Sequence, residues 1–167
     1  FPAAFSKAVT DRIQEKLGIP RENIILAATH THEGPVVGDN LFVAYRMEKE
    51  HLDVVKRYTK ILENKLVDTA VRSFSEMEPS RLSFGRTEAN FAVNRRVIKE
   101  DGIANGANRV GPVDHRVPFM AVDSENGVLK AIVFIYACHN TTGRGQYYYN
   151  GDYAVSRRCR WKRNILE

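Results

Sequence analysis

A chain of 167 residues with 43% hydrophobic and 27% charged side chains has the composition of an ordinary globular domain with its own core. No apolar run approaches the roughly eighteen residues that a membrane span requires, so no transmembrane segment is expected. The net charge of +5 argues against a nucleic-acid partner because it is not spread across the chain: residues 154–167 hold Arg157, Arg158, Arg160, Lys162 and Arg163 against Glu167 alone.

The chain opens at Phe1-Pro2 without Met and reads at once as helix, so it is expected to be a piece of something longer. Phe5, Val9, Ile13 and Leu17 recur at helical spacing between charged residues, which predicts an amphipathic helix over 3–17 closed by Gly18. The next stretch, residues 23–29, is apolar and reads as a buried strand. It ends in His30-Thr31-His32-Glu33-Gly34-Pro35. In an extended segment His30 and His32 project to the same side, about 7 Å apart at their Cα atoms. They could share a metal, or divide ligation and proton transfer between them.

A loop over 34–47 leads to a second amphipathic helix, about 48–75, with Leu52, Val55, Tyr58, Ile61, Leu62, Leu66, Ala70 and Phe74 as its apolar stripe. His51, among charged neighbours, reads as a solvated surface residue. Two short strands follow, Arg81–Thr87 with Leu82 and Phe84 inward and a second one running up to Asn94-Arg95-Arg96; they are expected to pair antiparallel. At the end of the second, one arginine could enter a site while the other is solvated.

Residues 99–114, rich in Gly and Asn, read as a long loop closed by a turn at Asp114-His115. Strand 116–122, a hairpin turn at Ser124–Gly127 and a strand over 128–137 complete the pattern. Ala131–Ile135 has no polar alternation and reads as a central strand covered on both faces. It delivers Cys138-His139-Asn140 at its carboxyl end, and a strand parallel to the first would bring His139 to the same sheet edge as His30. Asn150-Gly151-Asp152-Tyr153 is a turn whose carboxylate could orient a histidine. Cys138 and Cys159 make no disulfide framework. The fold class expected is α/β, a mixed sheet layered with amphipathic helices over residues 1–153, followed by a basic tail over 154–167 that differs in character.

Taken in order, Ala28-Thr29-His30-Thr31-His32 with Gly34-Pro35, Val93-Asn94-Arg95, Ala137-Cys138-His139-Asn140-Thr141-Thr142 and Asn150-Gly151-Asp152-Tyr153 resemble the neutral/alkaline non-lysosomal ceramidases and their bacterial relatives. The resemblance covers most of 1–153 and implies part of a ceramidase-like catalytic domain in a secreted or periplasmic setting. It implies a zinc-dependent amidase that cleaves the N-acyl bond of ceramide to a sphingoid base and a fatty acid. By the same resemblance His30 and His139 are zinc ligands and His32 and Arg95 are catalytic. Asn94 and Asp152 support them on the substrate side or behind the ligands.

The family commonly has Ser where this chain has Glu33. Its remaining ligands, a Glu and a Tyr, and its catalytic Ser lie beyond the matched region. Weak zinc binding and little hydrolysis are therefore expected of this chain by itself. Two other readings are a metal-dependent hydrolase of a non-sphingolipid N-acyl substrate and a non-catalytic α/β binding module.

Overall fold

Residues 1–39, 42–44, 47–143 and 148–155 are described in the computed structural model. The basic cluster at Arg157–Arg163 and Cys159 lie outside them. The chain divides into two compact units, Phe1–Met77 with Asn140–Glu167, and Glu78–His139.

The first unit is built on two helices, α1 (Ala3–Leu17) and α2 (Lys49–Ser75). The four-residue spacing of α1 works as expected: Phe5, Val9 and Ile13 are buried, and Gly18 closes the helix in the left-handed conformation, its amide bonded to the Gln14 carbonyl. Thr10 is buried on the same side and donates its hydroxyl to the Ser6 carbonyl, which satisfies its polar group inside the helix. Val67 from α2 completes this core, ringed by Leu62, Leu66, Ala70 and Val71.

The apolar stripe expected on α2 needs correction. Val67 is fully enclosed, whereas Ile61 and Phe74 are 51% and 43% exposed. The helix has more apolar residues than its single contact face can cover, and only packing against α1 decides which are used. Between the helices, Gly38 adopts φ 64° with Pro2 so close that any Cβ would lie 2.6 Å from its ring, and its amide bonds the Thr59 hydroxyl of α2.

Residues 24–30 form no strand. A short 3-10 turn, Arg21–Asn23, leads into an extended segment outside any ladder. Its period-two alternation survives, since Ile24 and Leu26 pack on the helical core while Ile25 is 89% exposed. Only the first part of the run is buried against the helices, Ala27 and Ala28 both being exposed, and its backbone pairs with no sheet.

The second unit holds two separate antiparallel sheets. In the first, β1 (Ser80–Glu88), β4 (Arg116–Ser124) and β5 (Leu129–Phe134) lie in the order β1-β4-β5. The second is a hairpin of β2 (Asn94–Lys99) and β3 (Gly102–Asn108). The helix and strand content agrees with a general α/β class, but every pairing among the described residues is antiparallel, not mixed.

Three expectations change with this topology. The first two strands do not pair with each other: β1 runs along β4 and β2 along β3. The Gly- and Asn-rich stretch read as loop contains β3, which turns back at Gly102 with φ 135°. Gly106 suits this strand because the Val97 side chain occupies the space above it.

The apolar β5 is an edge strand rather than a central one, and Val133 is 56% exposed. Leu82 and Phe84 on β1 are likewise exposed, not inward. The turn at Ser124–Gly127 forms as expected, with the Gly127 amide on the Ser124 carbonyl and φ 77° at Gly127.

Because the helical core turns on Val67, Val67→Ala should cost about 2 to 3 kcal/mol in urea unfolding, whereas Ile61→Ala should stay within about 0.5 kcal/mol. Equal effects would show that Ile61 is packed as tightly as Val67.

Candidate metal centre

The segment carrying His30 and His32 is held by Asn140. The buried Asn140 donates its side-chain amide to the Thr29 carbonyl, and its own carbonyl accepts the His32 amide at 3.3 Å. From the other side, the Thr31 hydroxyl donates to the Asn150 carbonyl at 2.7 Å, and the Asn150 amide donates to the Glu33 carbonyl at 3.1 Å. Residues 29–33 are thus clamped between two asparagines more than a hundred positions away. The sequence gives no sign of this role for Asn150, which acts through its backbone; for Asn140 the amide side chain after an apolar run is the available signal.

The clamp bends the histidine segment away from the extended geometry expected for it. His30 has φ 58°, a left-handed conformation that costs a non-glycine residue free energy and is found where surrounding bonds enforce it. The simple period-two argument therefore fails, yet the His30 and His32 rings still meet edge to face with centroids 5.1 Å apart.

His139 is the last residue of the second unit and is peptide-bonded to Asn140, the residue that clamps the first. Chain continuity alone keeps it beside that clamp. One ring nitrogen from each of His30, His32 and His139 lies within 4.8 Å of the other two. These three side chains could hold a metal ion. Three imidazoles with an open position form a donor set that catalytic zinc uses, with ligand nitrogens about 3.3 Å apart when each is about 2.05 Å from the ion.

Arg95 lies at the irregularity in β2, where the register shifts between Asn94 and Arg96, and a bulge of this kind re-aims a side chain. Its guanidinium meets Nδ1 of His139 at 3.1 Å. Arginine only donates, so Nδ1 accepts and a neutral ring carries its proton on Nε2. This bond and metal ligation by His139 are alternatives. Ligation through Nδ1 needs the same lone pair, and ligation through Nε2 puts a proton on Nδ1 facing a donor.

The remaining candidates have other partners. Asn94 donates its side-chain amide to the Pro112 carbonyl and accepts the Arg96 amide, which brackets the loop after β3. Glu33 does not face water: it is 8% exposed, its carboxylate lies against Gly143, and neither oxygen has a hydrogen-bond partner among the described residues. Its carboxylate is not part of the cluster of His30, His32 and His139. His51 is exposed near the start of α2, and His115 donates from Nδ1 to the Ala89 carbonyl.

Asp152 is 3% exposed and sits at φ 58°. It accepts from the Thr142 hydroxyl at 2.5 Å and from the Gly143 and Tyr153 amides at 3.1 and 2.6 Å. Burial pushes its carboxyl upward, but the bonds from Thr142, Tyr153 and Gly143 outweigh it and hold the group below the usual carboxylate range. Asp152 thereby fixes the loop that leaves His139 and Asn140. Protein-family models, curated proteins and solved structures offer no match to this chain.

A carboxylate with a lowered folded-state pKa contributes stability that is present above its unfolded value, about 3.9, and is lost as the pH falls through the folded value. Asp152→Asn should cost about 1 to 3 kcal/mol at pH 7. The difference between wild type and variant should begin to shrink as the pH falls toward the unfolded-state value, about 3.9, and be lost below the folded-state value. Urea unfolding across pH 2.5–7 checks this; a gap that stays constant across that range would contradict the charged role.

Proposed function

We propose that the chain carries part of the site of a zinc-dependent amide hydrolase resembling neutral ceramidase, whose reaction consumes an N-acyl sphingoid lipid and water and yields a sphingoid base and a fatty acid. The observation that supports this reading is the grouping of His30, His32 and His139, three side chains drawn from two distant stretches of sequence.

In this reading His30 and His139 hold the metal, as the resemblance implies. Zinc bound there supplies Lewis-acid polarisation of the amide carbonyl and activation of water. His32 moves the proton, taking it from the attacking water and giving it to the leaving nitrogen. Arg95 is the oxyanion donor: when His139 serves as a ligand its bond to Arg95 is given up, leaving a guanidinium free to bind the developing negative charge. Asn140 keeps His32 in place through the chain, and Asp152 does the same for the stretch after His139.

No described helix is long and apolar enough to cross a membrane.

Calorimetric titration of the full chain with zinc chloride should show one saturable site per chain. His30→Ala and His139→Ala should each weaken it at least tenfold, about 1.4 kcal/mol. His32→Ala should keep affinity within about threefold while removing whatever zinc-dependent fatty-acid release from N-acylsphingosine the chain supports. Turnover itself should be low, since the resemblance assigns only two zinc ligands to these residues. Absence of saturable zinc binding would overturn the proposal, and an affinity loss in His32→Ala equal to that in His30→Ala would make His32 a third ligand.

A further inference from the structure

A second polar cleft lies wholly within the second unit and uses none of His30, His32, Arg95 or His139. Its volume is about 260 Å³, and its walls include Asn90, Ala92, Val93, Arg109, Val113 and His115. That is somewhat below the usual size of sites for drug-sized ligands and suits a small molecule.

The cleft is framed by a loop that side chains hold rigid. Asn108 accepts the Val110 and Gly111 amides on its side-chain oxygen and donates its side-chain amide to the Arg96 carbonyl. Asn94 donates to the Pro112 carbonyl. Gly111 fits so tightly that a Cβ would come within 2.8 Å of both asparagine side chains. Arg109 projects from this loop and makes no ion pair or hydrogen bond among the described residues.

On the facing side, the Ala89 carbonyl accepts both the Tyr136 hydroxyl at 2.6 Å and Nδ1 of His115 at 3.1 Å. A carbonyl can only accept, so Nδ1 carries the proton and the lone pair of a neutral His115 ring sits on Nε2.

The charge balance of the cleft is positive. The carboxylate nearest in sequence, Asp114, is taken by Arg116 through two bonds of 2.9 and 2.7 Å and does not neutralise Arg109. The cleft thus combines an unpaired planar guanidinium, a fixed imidazole acceptor, the Asn90 amide and an apolar wall of Ala92, Val93 and Val113.

We infer that this cleft binds a small aliphatic hydroxy carboxylate. Its carboxylate lies on Arg109, its hydroxyl donates to Nε2 of His115, and its carbon body rests on the valines. Guanidinium recognises a carboxylate through two parallel bonds, which a lysine cannot reproduce. The apolar wall favours an organic acid over inorganic phosphate. The inference is independent of the metal centre.

Amide-resolved NMR titration of the full chain with 3-hydroxybutyrate, butyrate and inorganic phosphate at constant ionic strength tests it. Saturable shifts confined to residues 90–93 and 108–115 are expected, tightest for 3-hydroxybutyrate. Arg109→Gln should weaken binding at least tenfold, and Arg109→Lys should retain only part of it. Arg109 is exposed, so the unperturbed spectrum of either variant reports directly whether the fold is kept. Absence of saturable shifts, phosphate binding as tight as the carboxylates, or unchanged affinity in Arg109→Gln would each overturn the assignment. His30→Ala should leave this binding unchanged, which separates it from failure of the metal reading.

Discussion

The clamp of Asn140 on residues 29–32 is the constraint on which the candidate site depends. One side chain and one carbonyl fix a segment that belongs to no sheet, and without a ladder the backbone there has no other regular partner. The cost appears locally as the left-handed conformation at His30. Nothing in the helices requires that conformation. It persists because bonds from Asn140 and Asn150 over-determine the segment, a usual way for a fold to hold a reactive geometry against its own conformational preference.

A related device serves the second unit, where irregular backbone is positioned by side-chain bonds rather than by sheet pairing. The bulge in β2 turns Arg95 toward His139, while Asn94 and Asn108 lock the loop that carries Arg109. Tyr136 ties the chain just after β5 to the 89–92 segment, donating to the Ala89 carbonyl and accepting the Ala92 amide, with its ring edge-on to Phe91. Asparagine recurs in these roles because a short amide offers both a donor and an acceptor within reach of neighbouring backbone. The same residues read from sequence as loop-formers, which is correct as to their conformation and silent as to what they brace.

The sheets show how far local patterning reaches. Alternation located β1 and β4 and placed the turn between β4 and β5 within a residue or so, since side-chain period and turn chemistry are local properties. Partner choice is not local. β2 found β3, a segment whose glycines and asparagines disguise a strand, because a hairpin with a glycine at its turn closes the shortest loop available. An unbroken apolar run such as Ala131–Ile135 suggests burial on both faces, yet its place at a sheet edge is set by which strands lie beside it.

By itself the sequence determined the two helices, the glycine that ends the first, the positions of most strands and the presence of His30, His32 and His139 just beyond apolar runs. Each follows from periodicity or residue type within a few positions. Tertiary structure decided which face of α2 is buried, that residues 24–30 stand outside any sheet, that Arg95 bonds His139, and that Glu33 is buried against Gly143. It also held residues 29–32 through Asn140 rather than through a sheet. The physical reason is separation along the chain. Contacts across a hundred residues are fixed by packing and by satisfaction of buried backbone groups, and a local pattern carries neither.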